Sequence, residues 1–134
     1  MTKAAIRQSL ANCKTIAVVG LSPKPHRDSF RVAKYMQDHG FRIVPINPNA
    51  PEVLGEKAYA SLTEAAMHER IDMVNCFRNS EDIPPIAAEA IAIGAKSLWL
   101  QIGVVNDAAA KQATDAGLVV VQDLCLMVEH RQLG

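Results

Sequence analysis

The sequence predicts an α/β protein built on a mostly parallel sheet of about five strands with helices on both faces. Three observations predict it. Apolar residues make up 49% of the 134 residues and aromatics only 4%, the composition of an interior filled by Val, Ile, Leu and Ala, as in strands buried on both faces. Short continuous apolar runs recur, each bounded by glycine or a polar turn, and helical patterns of roughly 10 to 15 residues separate them. Strands that alternate with helices in this way are joined by right-handed crossovers and so lie parallel.

Each element has its own signature. "MTKAAIRQSLANCK" at the N-terminus is an amphipathic helix pattern. "TIAVVG", residues 15–20, is a β-branched run closed by a glycine and suits a central strand. "SFRVAKYMQDHG" places Val32, Tyr35 and Met36 on one helical stripe, with Ser29 or Asp28 able to cap its start and Gly40 to end it. "FRIVPINP", residues 41–48, is a strand whose Pro45 would interrupt an interior ladder and so belongs near an edge. A loop follows with room for a short strand at residues 52–54 and a small helix from about Thr63. "IDMVNCF" is a strand, and in "EDIPPIAAEAIAIG" Pro84 and Pro85 fit the first helical turn, where no amide donor is needed. "SLWLQIG" and "NDAAAKQATDAG" repeat the pattern, with Asn106 or Asp107 as cap, before "LVVVQD" and a closing helix "LCLMVEHRQL". The fold expected is a single Rossmann-like domain over residues 1–134, since no linker or repeat offers a place to cut a second one.

Charge and cysteine content exclude several functions. Lys and Arg together number 14, equal to Asp and Glu, so no global field argues for nucleic acid or an anionic membrane. The chain has neither an apolar span nor a signal-peptide core, which points to the cytoplasm. Cys13, Cys76 and Cys125 are an odd set without CxxC spacing and read as free thiols. His26, His39, His68 and His130 are scattered singly, so no metal site is expected.

In open sheets of this kind ligands bind outside the carboxyl ends of the strands. That rule gathers five segments on one rim: Gly20-Leu21-Ser22, Asn47-Pro48, Cys76-Phe77-Arg78, Gln101-Ile102-Gly103-Val104 and Gln122-Asp123-Leu124-Cys125. The first resembles a dinucleotide turn that keeps only its first glycine, and the second has an amide where an NAD site would have a carboxylate for the ribose. An amide there tolerates a phosphorylated ribose, which a carboxylate would repel. Ser22 can donate to a phosphate oxygen, the helix that follows offers free amides, and Lys24, His26 and Arg27 add charge in the same loop. The competing structural reading is a plain Ser-Pro turn with a solvated basic rim.

These residues carry a resemblance. "VVGLSPKPHRDSFRVAKYMQDHGFRIVPINP", "VLGEKAYASL" and "IDMVNCFRNSEDIPPIAAEAIAIGAKSLWLQIGVVNDAAAKQATDAGLVVVQDLC" resemble the small stand-alone CoA-binding domain proteins, similar to the CoA-binding N-terminal domain of the succinyl-CoA synthetase α subunit. The match runs from about residue 12 nearly to the end, on the paired signals G-x-S, P-x-N-P, F-R-x-S-E and W-x-Q-x-G-V. The resemblance implies a CoA or acyl-CoA ligand with its phosphates at Gly20 and Ser22, its adenosine end near Asn47 and Pro48, and its pantetheine arm crossing Phe77, Arg78, Gln101 and Gly103. With the loop residues Pro23, Lys24, Arg27 and Ser29, these are the candidate ligand-binding residues. The synthetase keeps its phosphorylated histidine in a second domain that this sequence does not extend into, so the resemblance carries binding and not catalysis. It also places Leu124 where members of the family often have a basic residue, which would lower affinity if that residue holds a phosphate.

The remaining residues of interest have plain readings. Cys76 and Cys125 sit at strand ends, where either could meet a CoA thiol or simply pack as a small apolar residue. Arg78 could hold a phosphate or pair with Glu81, Trp99 reads as core, and Gln101 and Asn106 read as polar groups at the site mouth. No nucleophile with an oriented base stands out, so the expectation is a non-catalytic sensor, carrier or regulatory module, a monomer or weak homodimer whose protein partner is unspecified. Two rival functions stay open: an NAD(P)-dependent oxidoreductase or redox sensor, and an interaction module with a vestigial nucleotide site, for which Leu126, Met127 and Leu133 of the closing helix would be one contact.

Overall fold

The structure, a computed structural model, describes residues 3–133, so the first two residues of the N-terminal helix pattern lie outside the described residues. Five strands form the main sheet: β1 (Thr15–Val19), β2 (Arg42–Ile46), β5 (Met73–Cys76), β6 (Ser97–Leu100) and β7 (Val119–Val121). All neighbouring pairs are parallel, in the order β2-β1-β5-β6-β7. Numbered within this sheet alone the order is 2-1-3-4-5, and the direction of winding reverses between β1 and β5. That reversal opens a crevice at the carboxyl ends of these two strands.

β1 shows why the sheet is covered on both sides. All five of its residues are buried, and successive side chains point to opposite faces. Ile16 and Val18 join Ile6 of α1 (Lys3–Ala11), Val32 and Met36 of α2 (Asp28–Asp38) and Leu126 of α6 (Leu126–Gln132). Ala17 and Val19 join Leu62 of α3 (Leu62–Ala66), Ile83 and Ala87 of α4 (Ile83–Ala92) and Ala113 of α5 (Asp107–Asp115). Three helices therefore lie on each face. In the closing helix only Leu126 is fully buried; Met127 is half-buried and Leu133 is 42% exposed.

Pro45 lies in β2, at one end of the main-sheet order. Arg42 N donates to Lys14 O on the inner side, while Tyr59 N donates to the Pro45 carbonyl on the outer side. The proline nitrogen thus faces away from β1 and removes no ladder bond. The short strand expected at residues 52–54 is β3 (Glu52–Val53), paired antiparallel with β4 (Glu56–Lys57). Leu54 and Gly55 turn between them with φ of 56° and 76°, the positive pair that two-residue hairpins need. Leucine is a costly choice there, and Gln37 Nε2 steadies it by donating to Leu54 O at 3.1 Å.

Helix starts follow the expected chemistry with one exception. Ser61 caps α3 by accepting from Glu64 N, Asn106 caps α5 by accepting from Ala109 N, and Pro84 and Pro85 occupy the first turn of α4. At α2 neither Asp28 nor Ser29 caps: the cap position is Arg27, with no side-chain bond. Ser29 is buried and its hydroxyl is turned toward the preceding loop.

At the amino ends of the strands Asp72 joins three segments. One carboxylate oxygen accepts from Lys14 N at 2.9 Å and Thr15 N at 3.0 Å, and the other lies 3.5 Å from Lys96 Nζ. Burial pushes this carboxyl up, but the two backbone bonds and Lys96 outweigh it and hold the group below its ordinary 3.8. Above that value both folded and unfolded chains are ionised and the stabilisation is complete. As pH falls below it the unfolded chain takes up its proton first and the stabilisation drains away. Asp72→Asn should therefore cost about 2 kcal/mol at neutral pH, measured by denaturant unfolding, and its deficit against the parent should shrink as pH drops below 3.8.

Candidate functional site

The crevice between β1 and β5 is defined by a glycine. Gly20 N donates to Ile46 O at 3.0 Å and Phe77 N donates to Val19 O at 2.9 Å, so three strand ends are stitched side by side. A Cβ on Gly20 would lie 2.6 Å from Phe77 O, and the residue has φ of 85°. Both the close approach and the positive φ demand glycine.

From Gly20 the chain passes through the fully buried Leu21 and rises into an exposed loop. Ser22 N donates to Ser29 Oγ at 3.0 Å and Lys24 N donates to Ser22 Oγ at 3.1 Å. The Ser22 hydroxyl hydrogen is taken by neither bond. Arg31 closes the loop from outside, with Nη1 donating to His26 O at 2.9 Å and Nη2 paired with Asp28. Asp28 therefore has its charge offset although it lines the crevice.

Gly20, Ser22, Lys24, Arg27, Ser29 and Phe77, with Asp28, enclose a cavity of about 430 Å³. It opens over the start of α2, where among the described residues no backbone carbonyl accepts from the amides of Asp28, Ser29 or Phe30. An eleven-residue helix presents these donors with the positive end of its dipole. With Lys24, Arg27 and the Ser22 hydroxyl, the arrangement is suited to an anion with several oxygens.

The other predicted residues fall into distinct places. Pro48 and Arg78 line a neighbouring cavity of about 280 Å³ together with Ala60, Ser61 and Leu62, a wall that the loop before α3 supplies and that the rim rule did not single out. Arg78 pairs with Asp82 at 3.4 Å rather than with Glu81. Asn47 is a brace: its Nδ2 donates to Leu21 O at 2.9 Å and its Oδ1 accepts from Asn49 N at 2.8 Å. Pro23 is exposed in the loop without lining either cavity.

Gln101 is not at the mouth of the site. It is 6% exposed, and its Oε1 accepts from Leu126 N at 2.9 Å and Asn75 Nδ2 at 3.1 Å. It continues the alternation of Trp99, two residues earlier, toward the core beneath α6. Gly103 is exposed on the loop after β6, its amide donating to Asp123, and it lines neither cavity. Asn106 is a helix cap, and its Nδ2 also donates to Ser80 O at 3.0 Å.

The thiols have different surroundings. Cys76 is fully buried, and burial pushes its thiol up to about 12. A group so protonated is a packing residue and not a nucleophile. Cys13, under the N-terminal helix, is also pushed up to about 12, by burial and then by Asp72, while Cys125 is half-exposed at the start of α6.

A family described as the CoA binding domain matches residues 14–131 of this sequence. The chain belongs to the CoA binding domain family. An uncharacterized Bacillus subtilis protein, YneT, is 45% identical over 129 residues, covering 96% of this chain and 94% of that protein. A solved structure of a hypothetical protein from Pyrococcus horikoshii superposes with a TM-score of 0.92 at 40% identity, covering 100% of this chain and 94% of that one. An ADP-forming acetate–CoA ligase of Archaeoglobus fulgidus is 29% identical over 85 residues, which are 62% of this chain and 12% of the ligase. The matched stretch thus corresponds to nearly the whole of one relative and to a small part of another, much longer one.

Gly20→Ala should destabilise the protein by about 2 kcal/mol through the positive φ and the clash with Phe77 O. The thermal midpoint should fall by roughly 8 °C. An equal replacement at Gly40, where nothing lies within 4 Å, should carry only the cost of its φ.

Proposed function

We propose that this protein binds CoA or an acyl-CoA at the carboxyl rim of its sheet, in the cytosol, and does not transform it. The observation that carries the reading is the cavity between β1 and β5, with free helix amides, the Ser22 hydroxyl, Lys24 and Arg27 around one space. The pyrophosphate of CoA fits these donors. The adenosine end would extend over Asn47 and Pro48 into the adjoining cavity, where Arg78, paired with Asp82 only at 3.4 Å, is free to swing to a ribose phosphate. The ligase relative, whose name states a CoA reaction, supports the same ligand class.

NAD is disfavoured by the end of β2. The residue there is Asn47, and its amide is already engaged with Leu21 O and Asn49 N, so no carboxylate receives the ribose hydroxyls. A binding rather than catalytic role is supported by the lining itself. The Ser22 hydroxyl lines the cavity, its oxygen accepts from Lys24 N, and among the described residues no imidazole or carboxylate is bonded to it as a base.

Thermal unfolding of the reduced protein with CoA, dephospho-CoA, acetyl-CoA, NAD and NADP tests this. At about 100 times the dissociation constant a ligand adds about 2.7 kcal/mol, a shift of roughly 10 °C for a domain of this size. CoA and acetyl-CoA should give it and dephospho-CoA less. Ser22→Ala and Arg27→Ala should each weaken CoA by about tenfold, the worth of one charge-assisted bond. A shift with NAD or NADP alone sends the reading to hydride chemistry, and none with any ligand favours an interaction module.

A further inference from the structure

We propose that a groove on the helical face formed by α1, α2 and α6 is a second binding site, for a flat aromatic molecule carrying one anionic group. With a volume of about 650 Å³ it exceeds either cavity of the rim and lies in the range of small-molecule pockets. It sits at the C-terminal end of α2, whose N-terminal end faces the rim. Eleven residues of helix separate the two by about 16 Å.

The floor of the groove is aromatic. The rings of Tyr35 and His39 stack with centroids 4.0 Å apart, and His130 stands edge-on to both at 5.5 Å and 5.4 Å and to Phe41 at 5.6 Å. Hydrogen bonds fix this arrangement: the Tyr35 hydroxyl and His130 Nδ1 are 2.9 Å apart, and His39 Nδ1 donates to Tyr35 O at 2.7 Å. The rings are held by the protein itself, and so a ligand ring that packs on them pays little to order the site. Leu10 and Ala11 from α1 add an apolar wall.

The rim of the groove is cationic. Arg7 of α1 and Arg131 of α6 both line it. Arg31, Arg42 and Arg78 are each paired with a carboxylate, whereas neither Arg7 nor Arg131 forms an ion pair among the described residues. The Arg131 guanidinium carbon is 5.8 Å from the centre of the Tyr35 ring. Lys3 and Glu129 border an adjoining cleft that shares Arg7, and among the described residues Glu129 forms no ion pair with it. Burial first, and then His39 beside it, holds His130 below the ordinary imidazole value. Two unpaired guanidiniums above a preformed aromatic floor fit a carboxylate or sulfonate borne on a ring. The competing explanation is that these cations only answer the partial negative ends of three helices that finish here.

The probe is 2-naphthoate, with 2-naphthalenemethanol as its uncharged counterpart, followed through the imidazole proton signals of the whole protein by NMR. Saturable shifts of the His39 and His130 signals are expected with naphthoate. Binding should be about tenfold weaker for the alcohol, as loss of a charge-assisted contact requires, and unchanged by saturating CoA. Arg7→Gln and Arg131→Gln, both at the groove rim, should each weaken naphthoate severalfold while the fold is kept. The proposal is overturned by any of three results: no saturable shift, equal binding of acid and alcohol, or arginine variants that alter thermal stability and leave naphthoate binding as it was. Displacement of naphthoate by CoA would place the probe at the rim and overturn it as well.

Discussion

Everything at the carboxyl rim depends on how closely β1 and β5 approach. The Phe77 carbonyl occupies the space that a side chain at position 20 would need, and the bonds from Gly20 N to Ile46 O and from Phe77 N to Val19 O lock three strand ends together. Because the strands cannot part, the chain leaving β1 is forced up and over the sheet edge. It returns within eight residues to start α2 at Asp28. The result is a loop whose inner surface faces a helix N-terminus, which is what makes this rim suitable for phosphate oxygens.

Around that contact the polar groups divide into those that hold the frame and those left for a ligand. Asn47 is spent on Leu21 O, Ser29 on Ser22 N, and Gln101 on the first amide of α6. Trp99 Nε1 donates to Leu124 O at 2.8 Å and so ties β6 to the segment entering the same helix. What remains uncommitted is concentrated in one place: the first-turn amides of α2, the Ser22 hydrogen, Lys24 and Arg27. With the one carboxylate in its lining, Asp28, already paired to Arg31, a site whose free groups are donors selects for an anion before any detail of its shape is considered.

Much of the fold was legible because it rests on burial. Parallel strands covered on both sides have to be continuous apolar runs, and "TIAVVG", "IDMVNCF" and "SLWLQIG" read that way. Pro45 marked the edge through its missing hydrogen, and Asn106 marked a helix start through its short polar side chain. The errors arose where a side chain had two possible partners. Ser29 looks like a cap in one dimension, but in three its hydroxyl reaches the amide of Ser22, seven residues back. Gln101 follows a strand end and so looks like a rim residue, yet strand alternation carries it inward to an amide 25 residues away. Leu54 hid a hairpin turn because its positive φ is atypical of leucine. The aromatic and histidine cluster of Tyr35, His39 and His130 left no signal at all, since 95 residues separate two partners that share a hydrogen bond.

The most direct test of the account is an amide NMR map of the protein titrated with CoA. The account predicts saturable shifts largest at Gly20, Ser22, Asp28, Ser29 and Phe30, with those near Asp72 and Ser97 at the opposite end of the strands unmoved. Shifts centred on that opposite end, or none that saturate, would contradict it.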